Sequence, residues 1–405
     1  MFGLNDDSLA SIEFRLMWEK SGVRHTDAFY AQRVNFWRDL LPADLRRELV
    51  GAFPGDTVSR NYDAGTIIPL PDDRRCHSIP YGRIAGRLAD GTSITPRYGR
   101  FYPRGILRGV PGVFQGNIEP FRCTDTHADG IRADFNHPLA GLPLHLEARV
   151  WDVRVKFEER GGTATDWIEQ AADGPGMQTR HDGSATQFFE DRAFDREDDG
   201  EDGDFYRTPR LVQHLDAQAI ATLSDLYGRL VAPGGRVLDL MSSWTSHLPD
   251  TLDTAWVTGL GLNAEELAHN QRLNSYDVHD LNRSPRLPYP TAAFAAVLCT
   301  VSVEYLTRPM EVFADVARVL APGGIFVVTF SDRWFPAKAI RIWKELHPFE
   351  RMGLVLELFH QTGRFAALET FSSRGWPRPA NDKYADRMTV ADPVFGVWGR
   401  RREGD

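Results

Sequence analysis

Asp239 closes a short apolar run, Arg236-Val237-Leu238-Asp239-Leu240, and Met241, Ser242, Ser243, Trp244, Thr245 and His247 follow within a few positions. A buried strand ending in a carboxylate commonly opens a nucleotide-type pocket. Hydroxyls and one ring beside it suit a small polar ligand, and a ring facing a desolvated cation attracts it by about 1–2 kcal/mol. A second carboxylate, Asp280, precedes Leu281 and either receives ligand hydrogen bonds or starts the turn through Asn282-Arg283-Ser284-Pro285. Thr300 and Val301 end a further apolar run, with Glu304 and Tyr305 just beyond. His247, Glu304 and Tyr305 are the candidate general bases, because each can hold a proton near a reacting atom. Glu304 could equally cap or pair, and His247 could simply pack before Pro249. Tyr206, Arg207 and His214 precede the first apolar run and are candidates for binding a substrate, Arg207 through a carboxylate or else as a solvated surface charge. Trp334, Phe335 and Trp343 offer an apolar substrate wall or a helix-packing cluster.

The elements that must position these residues follow from periodicity. From residue 205 to the end, "RVLDL", "AWVTGL", "AAVLCTV" and "IFVVTF" read as continuous apolar strands, and Leu211, Leu215, Ala219, Leu223, Leu226 and Leu230 mark one helical face. Strands buried on both faces and alternating with helices predict an α/β Rossmann-like doubly wound sheet. Ala232-Pro233-Gly234-Gly235 and Ala321-Pro322-Gly323-Gly324 punctuate two helix-to-strand joints, where glycine accepts the left-handed cap and proline blocks continuation. Residues 1–158 differ. In "LPLHLEARVWDVRVKF", apolar Leu144, Leu146, Ala148 and Val150 interleave with His145, Glu147 and Arg149, the pattern of a half-buried antiparallel strand. A helix is expected over Val34 to Leu49 within this β-rich domain. Residues 159–204, small and polar and then carboxylate-rich in "EDRAFDREDDGEDGDF", are expected to form a flexible acidic linker. The chain is thus read as multidomain: 1–158, the linker 159–204, and 205–405.

Composition narrows the classes. With 405 residues, 42% hydrophobic and 25% charged, this is a globular composition, and a net charge of −9 argues against a nucleic-acid groove. The three cysteines, Cys76, Cys123 and Cys299, are far apart and form no disulfide framework or thiolate metal site. No metal is expected. The N-terminus lacks a basic region followed by an apolar run, so a cytoplasmic location without membrane association is expected.

The C-terminal motifs carry a resemblance. "LVAPGGRVLDL", "VHDLNRSPRLPYPTAAFAAVLCTVSVEYLTRP" and "MEVFADVARVLAPGGIFVVTF" resemble, in order and spacing, the successive motifs of class I S-adenosylmethionine-dependent methyltransferases. The resemblance implies S-adenosyl-L-methionine as cofactor and a small-molecule or peptide methyl acceptor. It implies that Asp239 lies near the methionine end, that Asp280 takes the adenine amino group with Leu281 beside the ring, and that Thr300 and Val301 line the pocket under the sulfonium. Two departures stand out. The family's glycines after the acidic residue are here Met241, Ser243 and Thr245, leaving Ser242, Ser243 and Trp244 as cofactor contacts. The ribose carboxylate, expected near Gly261, is absent, so Asn263 is the candidate there, although Asn263 and Glu266 also fit a capping box at a helix start.

In the N-terminal domain, "DFNHPLAGLPLHLEARVWDVR" resembles the closing turn and strand of FKBP-type peptidyl-prolyl isomerases of the SlyD subgroup, through Asn136-His137-Pro138-Leu139-Ala140-Gly141. "GVPGVFQGNIEPFRCTD" corresponds to that subgroup's inserted flap. The resemblance implies an FKBP-like fold and a partner in an unfolded or prolyl peptide, with Phe29, Tyr30, Phe36, Trp37 and Tyr81 either lining a pocket or packing the core. Two functions follow. One is a methyltransferase with an FKBP-like accessory domain. The other is a prolyl isomerase or peptide-binding chaperone with a non-catalytic Rossmann-like half.

Overall fold

The computed structural model describes residues 3–87, 91, 94–157 and 161–404. Two long strands, β1 (Ser8–Lys20) and β2 (Val23–Asn35), form an antiparallel hairpin with Lys20 opposite Val23. Ser21 and Gly22 make the turn, both at positive φ (53° and 74°). Alternation continues through Asn35 and fixes residues 23–35 as strand, so the helix expected from Val34 begins only after Pro42, as α1 (Ala43–Leu49). Proline at that entry presets φ and needs no N–H partner.

β3 (Thr57–Tyr62) and β8 (Leu144–Val155) complete this antiparallel layer, in the order β2-β1-β8-β3. The inward side chains of β8 are those the alternation singled out: Leu144, Leu146, Ala148 and Val150 are buried, while Arg149 is exposed. Between β3 and β8 the chain makes a separate sheet from β4 (Cys76–Pro80), β5 (Phe101–Pro103), β6 (Pro120–Thr126) and β7 (Gly130–Asp134), ordered β4-β7-β6-β5.

The segment expected as a flexible linker is instead packed. Its helix α2 (Trp167–Ala172) contributes Ile168, Ala171 and Ala172 to the N-terminal core beside Leu45 and Leu49 of α1. Met177, Phe188 and Ala193 then enter the C-terminal core. The carboxylates that composition reads as solvated have cations to meet, of which Lys338 and Arg196 have buried side chains. The Lys338 Nζ, fully buried, lies 3.2 Å from carboxylate oxygens of both Asp198 and Asp202, and Arg196 bonds Asp202 at 2.8 Å. Arg341 pairs with Glu190 and Lys344 with Glu197, each at 2.6 Å. Two charges removed from water must be paired to persist there, and this pairing fixes the segment.

The C-terminal part opens with α3 (Asp202–Phe205) and α4 (Ala217–Leu230), whose N-cap Asp216 accepts from the Ala219 N–H. The parallel strands follow: β9 (Arg236–Leu240), β10 (Trp256–Gly261), β11 (Ser275–Val278), β12 (Phe294–Thr300) and β13 (Leu320–Phe330). The helices α5 (Ala264–His269) and α6 (Pro309–Val319) cross between them. After α7 (Arg341–Glu345) and α8 (Pro348–Thr362), β14 (Phe365–Arg374) and β15 (Val394–Arg401) close the order β11-β10-β9-β12-β13-β15-β14.

This sheet does not end at β14. β14 pairs in parallel with β2, from Glu369 opposite Arg24 to Arg374 opposite Phe29, so one eleven-stranded sheet runs through both parts. Buried side chains seal the junction. The Asp27 carboxylate, fully buried, accepts from Ser372 Oγ at 2.6 Å and from Arg374 at 3.1 and 3.2 Å, and His25 bonds Thr370 at 2.8 Å. The four-stranded sheet is tied to α8 by a buried Arg100–Glu350 pair at 3.1 Å. No helix among the described residues is long and apolar enough to cross a membrane.

Candidate functional site

Strand order reverses between β9 and β12, which lie side by side although β10 and β11 come between them in the chain. In open α/β sheets this switch point, beyond the carboxyl strand ends, is where a crevice forms. A cavity of about 470 Å³ occupies it. Its walls come from the ends of β9 to β13, from residues 202–215, and from two loops that carry Asp332 to Phe335 and Lys383 with Tyr384.

The loop after β9 keeps the backbone of a glycine loop without the glycines. Met241 stands at φ 58° and His247 at φ 54°, in the left-handed region, where a side chain costs roughly 1–2 kcal/mol per residue. The close approach that loop glycines would allow is supplied from the opposite side. The Ser242 N–H donates to the Leu260 carbonyl at 2.8 Å, and a Cβ added to Gly261 would lie 2.2 Å from the Ser242 carbonyl oxygen. Gly261 therefore has a backbone role, which is why the carboxylate expected near it is absent.

Asp239 lines the cavity but is turned inward. Its carboxylate accepts from Ser242 Oγ and Ser246 Oγ, both at 2.6 Å, and burial pushes its pKa up to about 6 against those two bonds. Ser243 Oγ donates to Glu266 at 2.6 Å, and Glu266 also accepts the Arg210 N–H at 2.7 Å. Glu266 is thus a cavity-facing carboxylate that periodicity had assigned only to a capping box. The cap itself is made by Asn263, whose side-chain oxygen accepts from the N–H groups of Glu265 and Glu266. The Asn263 amide nitrogen donates to the Tyr206 and Arg207 carbonyls at 2.8 and 3.1 Å, so both ends of the side chain are engaged by the protein. Trp244 lines the cavity with its indole N–H on the Val212 carbonyl at 3.1 Å.

Asp280 and Leu281 lie beyond β11. One Asp280 oxygen starts the turn, accepting from the Asn282 and Arg283 N–H groups, while the residue still lines the cavity. The turn reading therefore holds, in a residue that also borders the cavity. Thr300 ends β12 with its hydroxyl 2.6 Å from that of Tyr227, and Val301 follows at φ 48°.

The candidate bases separate. His247 lines the cavity, its Nδ1 buried without a partner, and burial lowers its pKa to about 4. Tyr305 lines the cavity with its hydroxyl oxygen accepting the Phe335 N–H at 2.9 Å. Glu304 faces away: it is 1% exposed, lies outside the cavity lining, and burial pushes its pKa up to about 8 with Arg351 nearby. The sequence places Glu304 next to the right strand end, but the 3₁₀ turn at Val303–Tyr305 sends successive side chains to opposite sides.

Among the proposed substrate residues, Tyr206 and His214 line the cavity and Arg207 does not. Arg207 is exposed and paired with Asp204, because Asn263 holds the backbone at 206 and 207 in a direction that turns it outward. Arg210, three residues on, takes the inward place. Its guanidinium lies 4.7 Å from the Phe205 ring centre and 5.3 Å from that of Phe335. Trp334 and Phe335 reach the cavity, whereas Trp343, 1% exposed, packs against Phe330. Arg210, Glu266 and Tyr384 carry no sequence signal beyond their types.

Residues 242–328 match the family model described as a methyltransferase domain. Among solved structures, the cyclase SpnF is similar at 19% identity over 50% of this chain and 91% of its own, with a TM-score of 0.34. The PH0226 protein of Pyrococcus horikoshii is 16% identical over 49% and 99%, with a TM-score of 0.33. An S-adenosylmethionine-dependent methyltransferase of Mesorhizobium loti is 17% identical over 45% and 96%, with a TM-score of 0.31. No curated protein matches the chain. The matched stretch begins in the loop after β9 and runs through the strands whose ends wall the cavity. The C-terminal part of the chain thus carries, over residues 242–328, a match to the methyltransferase domain family.

Proposed function

We propose that this chain is an S-adenosylmethionine-dependent methyltransferase acting at the β9–β12 switch-point cavity, with the N-terminal part as an FKBP-like accessory domain. The observation that carries the reading is the coincidence of the family match with a ligand-sized cavity at the one place the topology expects it. The donor set suits the cofactor. The Asp280 carboxylate beside Leu281 takes the adenine amino group, Ser243 and Glu266 face the ribose, and the Met241–Trp244 loop holds the methionine end. When bound, the cofactor would supply an electrophilic sulfonium methyl group for transfer to an acceptor lone pair, the carbon–sulfur electron pair staying with sulfur. The protein's own part is alignment, since an in-line displacement gains most from orientation. Uncharged His247 and His214 can each receive the acceptor's proton, both held below the ordinary imidazole pKa mainly by burial.

Support for the FKBP-like reading is topological. The reading draws on the β2-β1-β8-β3 layer with α1 packed on it, which is interrupted between β3 and β8 by a separate four-stranded sheet. An accessory role is favoured over isomerase activity, because α2 adds its apolar residues to the face that α1 covers. The aromatic residues also diverge: Phe36 is buried, Trp37 is 49% exposed, and Tyr30 stacks on Trp376.

Calorimetric titration of the purified chain with S-adenosylmethionine and S-adenosylhomocysteine tests the proposal. Binding with thermal stabilisation is expected. No heat and no stabilisation at millimolar ligand would instead favour the peptide-binding alternative with a non-catalytic Rossmann-like half.

A further inference from the structure

The acceptor end of the cavity carries its own chemical signature. The cofactor-facing wall, from β9, β10 and β11, has carboxylates and hydroxyls. The opposite wall, from residues 206–214, 333–335 and 383–384, has rings and cations. Phe335 meets Tyr206, His214 and Tyr305 at ring-centre distances of 6.4, 5.4 and 6.0 Å, forming a contiguous aromatic surface. Tyr305 fixes Phe335 through its backbone N–H, so that surface is held in place.

Three cations border the aromatic surface, and none forms an ion pair with a described carboxylate. Arg210 reaches in from the strap before α4, Arg333 from the loop after β13, and Lys383 from the loop between β14 and β15. All three line the same cavity as His214, whose pKa is lowered by burial and then by these charges, while Glu266 raises it. Arg333 and Lys383 lie 4.7 and 5.1 Å from the centre of the Tyr384 ring. Arg210 is the most constrained. Its Nη2 donates to the Phe205 carbonyl at 3.0 Å, while its Nη1 is buried with no hydrogen-bond acceptor. A buried donor on a charged group without a partner is costly unless a ligand supplies one. Nearby carboxylates have other partners: Glu266 accepts from Ser243 Oγ and the Arg210 backbone N–H, Asp202 meets Arg196, Lys338 and Asn282, and Asp332 lies beside Arg333.

We infer that the methyl acceptor is an anionic aromatic molecule, its ring on the Tyr206–Phe335 surface and its carboxylate or comparable anion among the Arg210, Arg333 and Lys383 cations. This inference rests on the reading of the cavity as the methyl-transfer site. Cations without ion-pair partners beside stacked rings attract an anion through charge and an aromatic ring through its face.

The test uses the full chain, with and without saturating S-adenosylhomocysteine, titrated calorimetrically with 4-hydroxybenzoate and with its neutral counterpart 4-hydroxybenzamide. The acid is expected to bind at least about tenfold more tightly than the amide, a gap worth about 1.4 kcal/mol. In Arg210→Gln that preference is expected to vanish, with S-adenosylhomocysteine affinity unchanged as the check that the cavity is formed. Equal affinity for acid and amide, no binding of either, or a preference that survives in a cofactor-competent Arg210→Gln chain would overturn the inference. The wild-type comparison decides even if that variant does not fold. Absence of S-adenosylhomocysteine binding with the acid preference intact would sink the methyltransferase reading and leave an aromatic-anion site.

Discussion

Met241 shows how far a residue can depart from its expected type while the backbone does not. The loop after β9 keeps a left-handed residue where a glycine is usual, and the missing side chain is transferred to Gly261 on the neighbouring strand. A pattern reader counts glycines along one segment, whereas the steric requirement belongs to a pair of segments, so the loop looked more damaged in sequence than it is in space. Asp280 was legible, because a carboxylate following a strand needs no partner to be recognised. Asp280→Ala is expected to weaken S-adenosylhomocysteine binding by about 1–3 kcal/mol through a lost charged hydrogen bond, measured by calorimetry; unchanged affinity would displace the adenine from that position. Glu304 was legible as a residue but not as an orientation. Burial pushes its folded pKa up to about 8, above the ordinary carboxyl value of 4.5. Its contribution to stability is therefore full below pH 4.5 and is lost as pH rises towards 8. Glu304→Gln removes the charge that burial opposes, so the variant is expected to gain melting temperature over wild type progressively as pH rises from about 5 to about 8 and to hold that gain above it, in thermal scans across that range. An identical pH profile in both proteins would show that the carboxyl does not titrate there.

At the scale of elements, the parallel strands and crossover helices were readable because continuous apolar runs and helix-ending Pro-Gly-Gly joints are local signals. The register of β9 against β10 was not, since it depends on which side chains face each other across the sheet. Gly261 opposite the loop is the clearest consequence. A methyl group there would meet the Ser242 carbonyl oxygen at 2.2 Å, a backbone atom that cannot rotate away. Gly261→Ala is expected to push the Met241–Trp244 loop out of the cavity and to reduce S-adenosylhomocysteine affinity by about tenfold or more, which corresponds to at least about 1.4 kcal/mol. Wild-type affinity in that variant would mean that the loop does not touch the cofactor. The acidic stretch at 190–204 was misjudged for the same reason on a longer scale. Its cations, Lys338, Arg341 and Lys344, lie in a different part of the chain, and no window of composition contains both partners.

The whole molecule departs furthest from what sequence suggested, because residues assigned to separate domains share one sheet. The two parts could be recognised separately, each by its own motifs, but the β2–β14 pairing joins strands some 345 positions apart, and nothing local announces it. A shared sheet has a thermodynamic consequence. If the junction is a structural interior, neither part can unfold without exposing the Asp27 carboxylate with its Ser372 and Arg374 partners, and the chain should melt in one cooperative transition. A flexible tether between independent domains would give two. Asp27→Ala tests this directly. It leaves Ser372 buried without its acceptor and the partly buried Arg374 with only the Gln170 and Ala171 carbonyls, and breaking a buried charged pair on one side costs up to about 3–5 kcal/mol. In differential scanning calorimetry the substitution is expected to lower the single transition as a unit. A second transition emerging with only one part shifted would show that the halves fold independently and that the sheet merely abuts at β2.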